Sequence, residues 1–137
     1  MKWSLHHKNL QVHNLEETVR FYRDILCLDV GTPHTIGTST ANLGVNSSNL
    51  AVIGDGNKGL HLLKPMPDFV HRTGTPINSA LYGHTAISVA DLESVKARLS
   101  AMGYFYADRG NWAMPSVYQV YVYDPSANLI EINQEAE

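Results

Sequence analysis

The chain has 137 residues, 44% of them hydrophobic and 17% charged, with a formal net charge of −3. That size supports one ordinary core and a single domain over 1–137, and a lone cysteine, Cys27, excludes an internal disulfide scaffold. No apolar run reaches the roughly 18 residues of a membrane span, and the mild acidity offers nucleic acid no basic surface.

The polar start MKWSLHHKNL does not read as a signal peptide, so a cytoplasmic protein is expected. Alternation up to Val12 predicts a strand. Asn14 then suits a helix N-cap, and Glu17, three residues on, could complete a reciprocal cap. The spacing of Leu15, Val19, Tyr22 and Leu26 predicts a helix over 15–26. Strand candidates follow near 30–36, 42–46, 49–53 and 59–63, with Asp55-Gly56-Asn57 as a turn before the last. Residues 65–80, with three prolines and one glycine, read as a connector. A second strand ends at Val89, Asp91 caps a helix over about 92–102, and Gly103 stops it. Strands near 104–107, 117–123 and 128–133 complete the chain, the last two separated by a turn at Asp124-Pro125.

The halves repeat. HKNLQVHNLEE begins at His7 and HTAISVADLES at His84, and Leu10, Val12, Asn14, Leu15 and Glu16 find Ile87, Val89, Asp91, Leu92 and Glu93 in register. A second correspondence joins Leu60-His61-Leu62 to Ile130-Glu131-Ile132, one polar side chain between two apolar ones. On a strand that central side chain points away from its neighbours. The pattern predicts two modules, 1–64 and 81–137, joined by the connector 65–80, and marks His7, His61, His84 and Glu131.

Seven histidines occur in the chain, and these places separate three from the rest. Alternation turns His6 to the face opposite His7, His13 is expected at the surface, and His34 and His71 sit in turn-rich surroundings. Imidazole and carboxylate donors suit Fe²⁺, Mn²⁺, Co²⁺, Ni²⁺ or Zn²⁺, and a two-His, one-Glu set leaves coordination positions open. His61 is expected as a fourth ligand or a nearby acid/base, because imidazole titrates near neutrality. Trp112, Arg109 and Asn78 are the candidate substrate contacts. Tyr121 and Tyr123 share one strand face and Tyr118 takes the other.

Four segments, HKNLQVHNLEETVRFYRDIL, GLHLLKP, YGHTAISVADLESV and YVYDPSANLIEIN, in this order across nearly the whole chain, resemble the vicinal oxygen chelate superfamily. That family includes glyoxalase I, extradiol dioxygenases, fosfomycin-resistance enzymes and methylmalonyl-CoA epimerase. The resemblance implies an α+β glyoxalase-like fold of paired βαβββ modules with curled mixed sheets. It implies metal ligation by His7, His84 and Glu131, with His61 at a further ligand position, and a homodimer. His61 stands where glyoxalase I has an additional glutamate, and the acidic partner of the epimerase has no match. The segment Tyr121–Glu131 is closer to the extradiol pattern, where Tyr121 would orient substrate, although Ala127 and the stretch Trp112-Ala113-Met114 depart from it. The implied protein is a divalent-metal-dependent enzyme, a dioxygenase or a lyase/isomerase, acting on a small oxygen-chelating substrate. Fe²⁺ or Mn²⁺ is the favoured ion, with Zn²⁺, Ni²⁺ and Co²⁺ also compatible. The alternative is a non-enzymatic protein that binds or sequesters a small molecule.

Overall fold

The computed structural model describes residues 1–31, 44–55, 58–123, 125 and 127–136. In chain order these form β1 (Trp3–Gln11), α1 (Leu15–Arg20), β2 (Val30–Gly31), β3 (Leu50–Ile53), β4 (Gly59–Leu63) and α2 (Phe69–Thr73). They continue as β5 (His84–Val89), α3 (Leu92–Ala101), β6 (Tyr106–Asn111), β7 (Val117–Tyr123) and β8 (Leu129–Glu135). His34, residues 32–36 and 42–43 of two strand candidates, and Gly56, Asn57 and Asp124 of the two expected turns lie outside the described residues, and residues 44–46, expected as strand, form a turn and loop instead. No helix among those described is long and apolar enough to cross a membrane.

Both long helices begin as their caps predict. Asn14 Oδ1 accepts from the Glu17 amide at 3.1 Å, and Asp91 Oδ1 accepts from the Ser94 amide at 2.9 Å. The Glu17 carboxylate accepts from the Asn14 side-chain amide at 3.0 Å, so that half of the reciprocal cap closes between side chains. α1 widens into a π-helical turn over Phe21–Ile25 and ends at Cys27, which adopts φ 54° in the left-handed region usually left to glycine. α3 stops at Gly103, φ 74°, as expected.

All eight strands join in one sheet, ordered β2-β3-β4-β1-β5-β8-β7-β6. β1/β4 and β5/β8 pair in parallel, and every other neighbour is antiparallel. Each half is therefore β-α-β-β-β, with its first strand beside its last. The halves meet along β1 and β5, where His7 pairs with Ala86 and Asn9 with His84. With the repeat offset of 77, those two pairs are equivalent, which is the register of a twofold relation.

The expectation of curled sheets is corrected. The sheet is open, neither closed nor strongly curled, and runs from β2 at one edge to β6 at the other. The physical reason lies in the β1/β5 ladder: backbone hydrogen bonds fuse the halves edge to edge into one mixed sheet instead of two separately curved ones.

The sheet buries both faces unequally. On one, α1 packs Leu15, Val19 and Tyr22 onto Leu10, Val12, Ile53 and Leu62. On the other, the 65–80 segment lays Met66, Phe69 and Ala80 over Val45 and Leu63, while Ile77 meets Ala107 and Tyr121. Fully burying a side chain such as Leu62 contributes about 1.5–3 kcal/mol. The second face carries the polar residues singled out by the repeat.

Candidate metal centre

Three adjacent strands supply the centre: His7 from β1, His84 from the start of β5 and Glu131 from β8. His7 Nε2 lies 3.0 Å from His84 Nε2. Glu131 Oε2 stands 3.7 Å from the first of these nitrogens and 3.2 Å from the second. Ligand atoms of all three residues fall within 4.8 Å of one another, and all three side chains are buried. Two imidazole nitrogens and a carboxylate oxygen converging without apolar intervention are a donor set that fits a borderline divalent cation.

Burial works on each member. It lowers the His7 pKa to about 2, a fall that Glu131 opposes and His61, His84 and His6 reinforce. The ring is therefore neutral, the state in which imidazole ligates. For Glu131, burial alone would raise the carboxyl pKa, but hydrogen bonding, from His84 first and also from Gln119, holds it well below the carboxylate range. Tyr121 donates its hydroxyl to Glu131 Oε2 at 2.9 Å, and Asn133 Nδ2 donates to Oε1 at 2.7 Å. Burial, then the Glu131 charge, keeps the Tyr121 hydroxyl protonated and so a donor. His84 Nδ1 lies 3.0 Å from the Ser79 carbonyl oxygen. A carbonyl can only accept, so His84 Nδ1 donates to it, which leaves Nε2 as the nitrogen that would ligate a cation.

The other sequence-predicted residues lie around this core. His61 stacks on His7, ring centroids 3.9 Å apart and 10° between planes, so it adjoins the three-residue cluster without belonging to it. Trp112 meets Tyr121 and Phe69 edge to face, and the Arg109 guanidinium lies 4.5 Å from its ring centroid. Arg109 Nε is buried with no hydrogen-bond partner among the described residues. Asn78 braces the connector, donating to the Met66 carbonyl at 3.2 Å and accepting from the Ala80 amide at 3.0 Å. It also lines, with His84, Tyr82 and Tyr123, an open groove of about 410 Å³. His13 is exposed, as expected, and so is His71, which lies on α2.

His6 requires a correction. Alternation would turn it away from His7, but the β1/β5 register slips between Leu5 and His7. The β-bulge leaves both rings buried and in contact on one face, Nδ1 to Nδ1 at 2.9 Å. Asn133, Gln119 and Ser79 were also missed by sequence reasoning. Period-two spacing from Glu131 and Tyr121 would have found the first two; nothing in the sequence marks a backbone carbonyl at Ser79.

Residues 4–132 match the family model described as the glyoxalase/bleomycin resistance protein/dioxygenase superfamily. Among curated proteins there is no significant match. A hypothetical protein from Bacillus halodurans C-125 superposes with a TM-score of 0.61 at 18% identity, covering 100% of this chain and 97% of the other. A variant of Streptomyces coelicolor methylmalonyl-CoA epimerase, in complex with 2-nitronate-propionyl-CoA, gives 0.60 at 22% identity, covering 97% of each chain. A superfamily member from Vibrio splendidus 12B01 gives 0.58 at 13% identity, covering 98% of this chain and 99% of the other. At these identities the likeness is one of fold.

Proposed function

Because the chain belongs to the glyoxalase/bleomycin resistance protein/dioxygenase superfamily, we propose that it is a metal-dependent enzyme of the isomerase or lyase type acting on a small molecule with paired oxygen donors. The observation that carries this reading is the buried convergence of His7, His84 and Glu131. The fold likeness to methylmalonyl-CoA epimerase supports an isomerase-type reaction. A divalent cation bound there, Fe²⁺ or Mn²⁺ by preference and Zn²⁺, Ni²⁺ or Co²⁺ as alternatives, would supply Lewis-acid polarisation of the substrate oxygens.

The chain's own residues then divide the work. His7 and His84 present their Nε2 atoms, and Glu131 supplies the anionic donor. Tyr121 and Asn133 keep that carboxylate from rotating by holding one oxygen each. His61 is the acid/base: its imidazole takes a proton from the carbon beside a substrate carbonyl and returns it, or enters as a fourth ligand. Trp112 shields the cluster from water. Arg109, with its Nε unsatisfied, meets an anionic group of the substrate, and Asn78 contacts the substrate from the groove beside His84.

The exposed apolar side chains of Trp3 and Leu5 on β1 support a homodimer, and the free thiol of the exposed Cys27 suits the cytoplasm. The deciding experiment is a divalent-metal titration of the purified, chelator-stripped protein, paired with proton-exchange assays on candidate carbonyl substrates. Stoichiometric binding that Glu131→Gln weakens strongly is expected. An unchanged titration in that variant would overturn the reading.

A further inference from the structure

His6 fills a place that the repeat leaves to Gly83 in the second half of the chain. The bulge in β1 brings its ring beside His7, where it is only 3% exposed. Its second nitrogen, Nε2, faces Glu135 Oε1 at 3.6 Å, and Lys58 Nζ reaches the same oxygen at 3.4 Å. Glu135 itself is exposed, so the three residues run from the buried centre to the surface.

Counting protons gives this row a direction. A neutral imidazole carries one N–H. When His7 gives its Nε2 lone pair to a cation, its proton must be on Nδ1, where it donates across 2.9 Å to Nδ1 of His6. His6 then has its own proton on Nε2, aimed at the Glu135 carboxylate. His84 receives the equivalent support from the Ser79 carbonyl, an acceptor that the backbone holds fixed. For His7 the acceptor among the described residues is itself an imidazole, whose far nitrogen faces Glu135.

We propose that His6 and Glu135 are positioning residues for the metal centre, a His7–His6–Glu135 relay that holds His7 in its ligating tautomer and makes cation affinity sensitive to a surface carboxylate. This rests on the metal-centre reading above. Hydrogen-bond partners behind a ligating histidine typically contribute about 10–100-fold in affinity.

The test is a Co²⁺ titration of the stripped full-length protein at one pH, following affinity and the d–d spectrum. Wild type is compared with His6→Phe, His6→Asn, Glu135→Gln and His7→Ala. His6→Phe should bind about 10–100-fold more weakly with an altered spectrum. His6→Asn, whose Oδ1 stands close to the place of Nδ1, should recover most of the loss, and Glu135→Gln should show a smaller loss of the same sign. In parallel, ¹⁵N NMR of the Zn²⁺-loaded wild type should place the protons on His7 Nδ1 and His6 Nε2. Wild-type Co²⁺ binding by His6→Phe, or a His6 proton on Nδ1 in the loaded protein, overturns the relay. If His6→Phe fails to fold, His6→Asn and the wild-type tautomers decide. Undiminished binding by His7→Ala would instead overturn the metal centre itself.

Discussion

In the first half of the sheet His61 lies directly across from Val52; in the second, Glu131 lies directly across from Tyr121. The backbone treats the two places alike, pairing His61 with Asn9 and Glu131 with Ala86, which is the same step in the repeat. Chemistry separates them. Valine offers nothing to a polar neighbour, whereas Tyr121 donates a hydrogen bond that orients Glu131. The first half thus collects imidazoles, His6, His7 and His61, and the second supplies the anion and its supports. A repeated backbone places four side chains with near symmetry, and the residues behind them decide which become ligands.

The largest effect should come from exchanging the two marked residues for the same amide. Glu131→Gln should weaken divalent-metal binding by about 100-fold or more, since it removes the anionic donor, whereas His61→Gln should change it by less than about tenfold. Calorimetric titration reads both, and equal losses would erase the distinction between halves. The bulge gives a second contrast. Gly83, the counterpart of His6, has φ 78°, and a Cβ there would run into the Asn9 carbonyl oxygen, while Gly103 at φ 74° has open space around it. Gly83→Ala should therefore cost about 2 kcal/mol or more and Gly103→Ala about 1 kcal/mol, as read from urea melts.

Acid should destabilise the metal-free protein over two pH ranges, one set by histidines of the first half and one by Glu131 of the second. The pKa values of His6 and His7 are depressed from 6.5 in the folded chain, chiefly by burial, so below about pH 6.5 the unfolded chain takes up protons that the folded one refuses. Stability should then fall with decreasing pH by up to about 1.4 kcal/mol per unit for each histidine. Glu131, whose pKa is held below its ordinary 4.5, contributes stability that is present above that value and is lost as pH falls further. The slope should steepen there, and Glu131→Gln should remove the steepening. A modest effect is expected from Tyr121→Phe, about a tenfold loss of metal affinity with no change in fold; its counterpart, Val52→Ala, should lower stability through a cavity while leaving metal affinity unchanged.

Much of this arrangement was legible in the sequence because it depends on spacing. The offset between His7 and His84, and the shared apolar–polar–apolar frame of His61 and Glu131, locate the strands and the face. Helix caps at Asn14 and Asp91 were equally plain, being chemistry local to a few residues. What escaped was set by relations between strands. The slip between Leu5 and His7 is a property of the β1/β5 register, and it alone brings His6 beside His7. The stacking of His61 on His7 depends on ring orientation, which alternation does not specify. The openness of the sheet escaped for the same reason, because strand patterning is the same in open and curled sheets.

That open sheet also bears on how the protein avoids uncontrolled edge-to-edge growth. An unclosed sheet offers free amides and carbonyls at its rim, where a stray strand could add. The β6 rim is poorly suited to such a guest. Its ladder with β7 slips between Asp108 and Gly110, Gly110 takes φ 56°, and Lys96 and Arg109 set charge around the kink. A bent, charged border of this kind resists in-register growth, so the architecture that leaves an edge exposed also makes that edge a poor template for aggregation.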